Sequence, residues 1–142
     1  QAAPDLAGVT AAVPELSALW RDKPAATHLG ITVAGFPNLF MLVGPNTGLG
    51  HNSIIFMIEC QVNYIVEALR YQRGQAKPVL RLRTDVQQGD YAAAQHKMQR
   101  TVWVSGCKSS YQNAQGQIDT LWPGYTWQYW LQTRRFQAKD YL

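Results

Sequence analysis

The residues best suited to chemistry run without a break from Gly44 to Ser53: Gly44, Pro45, Asn46, Thr47, Gly48, Leu49, Gly50, His51, Asn52 and Ser53. An apolar run, Leu39–Val43, leads into them, and apolar residues at helical spacing follow. A buried strand that passes through a small-residue loop into a helix turns backbone N–H groups and a helix N-terminus toward one point. That arrangement suits an electron-rich ligand group. On pattern alone, ligand contact and a plain strand-to-helix connection both stay open. His51 fits either a proton donor beside such a ligand or a structural hydrogen bond that holds the loop, and the structural role is the commoner one.

The remaining reactive side chains offer less. Cys60 and Cys107 match no metal spacing and no disulfide framework, and Cys60 reads as a buried thiol on a helix. His28, His51 and His96 have no metal-binding register, and neither Ser53 nor Ser105 sits in a Gly-x-Ser-x-Gly elbow. Glu59, Arg134 and Arg135 read as solvated or interdomain charges. Arg70, Arg73, Lys77, Arg81 and Arg83 form the one basic run; a solvated strand face beside a basic loop accounts for it better than a nucleic-acid groove does. Tyr111, Trp122, Tyr125, Trp127, Tyr129 and Trp130 crowd the tail. They would anchor a small layer to a larger body or line an entrance.

The elements that must position these groups follow from periodicity. The chain has 142 residues, 46% of them hydrophobic, and a net charge of +4, which is the size and balance of one ordinary domain. Pro14 opens a short helix through Trp20, and Gly35-Phe-Pro-Asn38 marks a turn. Ser53, with Asn52, is placed to cap a long helix. Its apolar face is predicted as Ile54, Ile55, Ile58, Val62, Ile65, Val66 and Leu69, with Gly74 and Pro78 at its exit. Val79–Thr84 alternates as a strand. A weaker helix is predicted over Gln87–Arg100, with Tyr91, Ala94 and Met98 on one side. Thr101–Val104 reads as a strand. Lys108–Tyr111 and Gln117–Leu121 read as a hairpin, and Thr126–Arg135 as helix or strand. No apolar run reaches the roughly 20 residues of a membrane span, and no leader pattern is present; a soluble, cytoplasmic protein is expected. The chain begins at Gln1 without an initiator methionine, as a processed chain or a piece of a longer one would.

Gly35–Glu59 resembles the Baeyer–Villiger type of flavin-dependent monooxygenase, including its hydroxyacetophenone monooxygenase-like branch. The likeness extends through Leu29–Thr47 and Leu49–Glu59, and then through Thr101–Trp103, Cys107–Tyr111, Asn113–Gly116, Leu121–Gly124, Thr133–Phe136 and Asp140-Tyr141. It implies an α/β fold and the C-terminal portion of a flavoprotein with two dinucleotide-binding domains. Residues 1–78 would be the end of the FAD-binding domain, with Leu39–Val43 its last strand, and residues 79–142 a small α+β extension. The chain has no G-x-G-x-x-G fingerprint and no Phe-x-Gly-x-x-x-His-x-x-x-Trp signature, and the segment carrying the family's active-site arginine is missing too.

For the intact enzyme the resemblance implies FAD and NADPH as cofactors and dioxygen as co-substrate. A C4a-peroxyflavin would insert one oxygen atom into a ketone or a heteroatom. Gly44 to Ser53 would hold the isoalloxazine side of FAD, the Ser53–Ile55 helix start facing the anionic ring edge and Gly48 and Gly50 letting the backbone approach. No metal and no catalytic residue is assigned to this chain, which alone should be inactive. Its partners would be the remainder of the flavoprotein and a small-molecule substrate, with neither nucleic acid nor a membrane. A non-catalytic flavin-binding or protein-interaction module is the alternative.

Overall fold

Four helices and three isolated bridges are formed among the described residues. The computed structural model describes residues 15–49, 52–76, 78–101 and 116–142. Helix α1 is Leu16–Leu19, α2 Ile54–Arg73, α3 Thr84–Met98 and α4 Thr126–Thr133, with a 3-10 turn at Ala138–Asp140. No helix among the described residues is long and apolar enough to cross a membrane.

Helix α2 starts and stops where the sequence places it, after Ser53 and before Gly74. Its buried face differs from the predicted one. Met57, Cys60, Gln61, Tyr64 and Ala68 are buried, whereas Ile55, Val62, Val66 and Leu69 are exposed. The helix is apolar on two sides, and periodicity alone cannot choose between them. The side that packs here is the one whose polar groups find partners. The Gln61 side-chain carbonyl accepts the Val43 N–H (2.9 Å), and its amide donates to the Tyr129 hydroxyl (2.9 Å).

Helix α4 resolves the ambiguity over Thr126–Arg135. Tyr129 is wholly buried against Met57, Cys60 and Trp122, and its hydroxyl donates to the Leu29 carbonyl at 2.6 Å. One hydroxyl thus joins α2, α4 and the turn at Leu29. Tyr129→Phe leaves the Leu29 carbonyl and the Gln61 amide without this partner, and we expect a loss of about 2 kcal/mol in urea unfolding. A midpoint equal to that of the unaltered chain would exclude this role.

The predicted strands are not laddered among the described residues. Leu39–Val43 takes one cross-chain backbone bond, Met41 N–H to the Ile31 carbonyl (2.8 Å), and Val43 has φ of 54°. In Val79–Thr84 the alternation holds, with Leu80 and Leu82 buried and Arg81 exposed, yet only the Leu82–Tyr141 bridge forms. The segment 140–142 runs antiparallel beside it, Arg83 N–H donating to the Asp140 carbonyl (3.0 Å) and Leu142 N–H to the Arg81 carbonyl (2.8 Å), a pairing too short to make a ladder. In Gln117–Leu121, Leu121 pairs with Gly48 through a parallel bridge, the pairing of this segment between described residues. Thr101–Val104 beyond its first residue, and the hairpin arm Lys108–Tyr111, lie outside the described residues.

Candidate functional site

The loop from Gly44 to Leu49 is held on both flanks by other parts of the chain. On one side is the turn 27–31. The Thr27 hydroxyl donates to the Pro45 carbonyl (3.1 Å) and accepts the Gly30 N–H (3.0 Å), while Gly44 N–H donates to the Gly30 carbonyl (3.2 Å). On the other side is the segment 119–122. Asn46 N–H donates to the Asp119 carbonyl (2.6 Å), Gly48 N–H to the Thr120 carbonyl (2.8 Å), and Trp122 N–H to the Gly48 carbonyl (2.8 Å). Within the loop, the Thr47 hydroxyl donates to the Gly44 carbonyl (2.6 Å).

These bonds correct one part of the sequence reading. The N–H groups of Gly44, Asn46 and Gly48 are taken up inside the chain, so they are not the donors aimed at a ligand. The bare Cα of Gly48 serves the same packing: a Cβ there would lie 2.7 Å from the Thr120 carbonyl oxygen. Helix α2 does begin beside the loop, but the Ser53 side chain makes no capping bond; the Asn52 side-chain carbonyl accepts the Ser53 N–H at 2.8 Å. The Asn52 amide donates to the Thr126 hydroxyl (3.1 Å), joining the loop's end to α4. Gly50 and His51 lie outside the described residues.

Among the described residues, one buried side-chain polar atom has no partner, and it belongs to this loop. Asn46 is 7% exposed, has φ of 64°, and its Oδ1 makes no hydrogen bond. An unpartnered buried acceptor is costly, by roughly 1–3 kcal/mol, and calls for a donor. A cavity of about 360 Å³ opens beside it, lined among others by His28, Asn46, Asp90, Lys97, Trp122 and Asp140.

His28 lines that cavity and was not singled out by sequence spacing. It is buried, its Nδ1 pairs with the Asp90 carboxylate, and its Nε2 lies 3.2 Å from the Tyr64 hydroxyl. Tyr64 in turn meets the Tyr141 hydroxyl (3.3 Å), which meets Thr32 (3.0 Å). Partners 62 residues apart leave no local signal. Among the described residues no cluster of three potential metal ligands occurs. Cys60 is buried as predicted, and burial pushes its thiol pKa up. In the tail, Trp122 and Tyr129 anchor the core, whereas Tyr125, Trp127 and Trp130 are exposed and Arg134 stacks over Trp130 at 5.5 Å.

The architecture matches part of a solved monooxygenase. A crystal structure described as cyclohexanone monooxygenase mutant from Rhodococcus sp. Phi1 bound to NADP+ superposes with a TM-score of 0.66 at 21% identity, covering 83% of this chain and 21% of that one. In sequence the chain is homologous to the Baeyer–Villiger monooxygenases. It is 46% identical over 124 residues to the Baeyer–Villiger monooxygenase of Pseudomonas aeruginosa and 40% identical over 133 residues to that of Streptomyces coelicolor. These matches take in 86% and 89% of this chain but only 23% and 24% of the relatives, so the chain spans about a quarter of their length. The FAD-binding monooxygenase ktnD of Aspergillus niger is 33% identical over 132 residues. No protein-family profile matches the chain.

Proposed function

We propose that this chain is the C-terminal portion of an FAD- and NADPH-dependent Baeyer–Villiger monooxygenase, residues 1–78 ending the FAD-binding domain and residues 79–142 forming the extension. The observation that carries the reading is the unpartnered Asn46 acceptor: a match of 124 residues on a chain of 142 must include its loop. A free acceptor fits a flavin, whose ring carries an imide N–H. Asn46 Oδ1 would accept the ring imide N–H, and the start of α2 would face the electron-rich ring edge. FAD, when bound, supplies the redox chemistry that activates dioxygen. The chain's own residues bind and orient: Asn46 fixes the ring edge, and the flanking turn and segment hold Asn46.

The overall reaction balances as ketone, dioxygen, NADPH and a proton giving ester or lactone, NADP+ and water. The exposed apolar residues Ile55, Val62, Val66 and Leu69 on one side of α2 support a further body of protein there, the remainder of the flavoprotein. The full flavoprotein carrying this chain is to be incubated with NADPH and either cyclohexanone or 4-hydroxyacetophenone. Lactone or ester, with ketone-dependent NADPH oxidation, is expected. The isolated chain should give neither. No oxygenated product from any ketone in a broad panel would sink the reading.

A further inference from the structure

We propose that Tyr91 and Gln95 of helix α3 are positioning residues for Asn46, a role that rests on the flavin reading above. The two side chains are one helical turn apart, so they project from the same face of α3. The Tyr91 hydroxyl donates to the Asp119 carboxylate at 2.9 Å, and the Gln95 amide donates to the Ile118 carbonyl at 3.1 Å. Both fix the segment whose next contacts are with the loop: the Asp119 carbonyl takes the Asn46 N–H at 2.6 Å and the Thr120 carbonyl takes the Gly48 N–H at 2.8 Å. Helix α3 is tied down at the same place by Asp90, which pairs with His28 on the opposite flank of the loop.

Asn46 depends on this scaffold more than its neighbours do. Its Oδ1 has no hydrogen bond to hold it, so the place of that acceptor follows from the backbone at Asn46, and the backbone from Asp119. Burial and the adjacent Asp119 carboxylate push the Tyr91 hydroxyl pKa up, which keeps it a donor. A catalytic arrangement is sensitive to such support, because a displacement near 1 Å in a group that orients a reacting partner can cost about a hundredfold in rate. In an oxygenase, misorientation is read as uncoupling: NADPH and dioxygen are consumed, but hydrogen peroxide leaves in place of oxygenated product.

The test uses the FAD-loaded flavoprotein containing this chain, with Tyr91→Phe, Gln95→Leu, the pair together, and Asn46→Gly, which accepts the positive φ while deleting the carboxamide. Four quantities are measured: FAD content, melting midpoint, KM for NADPH, and hydrogen peroxide formed per NADPH oxidised. The Tyr91/Gln95 pair should keep its FAD and its KM for NADPH and raise the peroxide fraction about fivefold, well inside the range that misplacement allows. Asn46→Gly should raise the peroxide fraction by a similar factor, and adding it to the pair should raise the fraction no further, as expected for residues acting through one group. Unchanged coupling in the pair overturns the proposal, and so does a loss of FAD that merely tracks a falling melting midpoint. If the unaltered flavoprotein oxygenates no ketone, the functional reading falls instead, a result visible before any variant is compared.

Discussion

Gly44→Ala is expected to destabilise the chain by about 3 kcal/mol, roughly 10 °C in melting midpoint. The added Cβ would sit 2.4 Å from the carbonyl oxygen of Gly30 and 3.0 Å from its carbonyl carbon. Both are backbone atoms, so the neighbour cannot swing aside as the end of a side chain would. Nor can the turn retreat. Gly30 has φ of 68°, and Thr47 Cγ2 lies 2.3 Å from where a Cβ on Gly30 would be. Gly89, inside α3, supplies the control: a Cβ there meets nothing within 4 Å, and alanine in a helix interior is worth about 0.5–1 kcal/mol over glycine. Thermal denaturation followed by circular dichroism should therefore move the two variants in opposite directions. Equal midpoints for Gly44→Ala and the unaltered chain would show that the loop and turn are not in this contact.

The chain should also lose stability steeply in alkali. Tyr64, Tyr129 and Tyr141 are buried, and burial is the main reason each hydroxyl pKa is raised; for Tyr64 the neighbouring Tyr141 adds to it. In the unfolded chain the same hydroxyls ionise near pH 10. Raised folded values mean that the native state holds its protons longer than the unfolded state. The stabilisation is complete below about pH 10 and is lost as pH rises through the folded values. Tyr91, raised by burial and the Asp119 carboxylate, joins these three. Each tyrosine contributes a slope of about 1.4 kcal/mol per pH unit in that window, so the four give about 5–6 kcal/mol per unit. Urea titrations between pH 9 and pH 12 measure the slope, and Tyr64→Phe should remove about a quarter of it. A flat profile to pH 11 would contradict the buried neutral tyrosines.

Local information in the sequence was reliable where chain neighbours decide the outcome. Ser53 and Gly74 bracket α2 because a helix end is a property of a few adjacent residues, and α3 forms over Thr84–Met98 despite Gly89. The loop was legible for the same reason, since glycines and a helix start are contiguous. Choices between equivalent faces were not legible. Ile55, Val62, Val66 and Leu69 satisfy helical periodicity as well as Met57, Tyr64 and Ala68 do, and only Gln61 meeting Val43 and Tyr129 shows which side turns inward. Leu39–Val43 has strand composition, but among the described residues it takes one backbone bond from another segment, Met41 to Ile31, and Val43 leaves the extended region at φ of 54°. The parts of the site that set Asn46 were the least legible. Tyr91, Asp119, His28 and Asp90 reach it through partners far away in the chain, and no spacing rule carries that information.

The closure of the loop by the far end of the chain also dictates an order of events in folding. The hydroxyl of Tyr129 reaches the Leu29 carbonyl across 100 residues, and Asn46 and Gly48 wait for carbonyls at Asp119 and Thr120. Contacts of such sequence separation form late, after the entropy of closing long loops has been overcome. On a ribosome, α2 can coil as soon as it emerges, but its loop stays open until the last stretch of this chain has left the exit tunnel. The geometry of this loop is therefore complete only when this part of the chain has been synthesised through its C-terminal helix, and a translation product stopped short of α4 would carry the loop sequence without its shape.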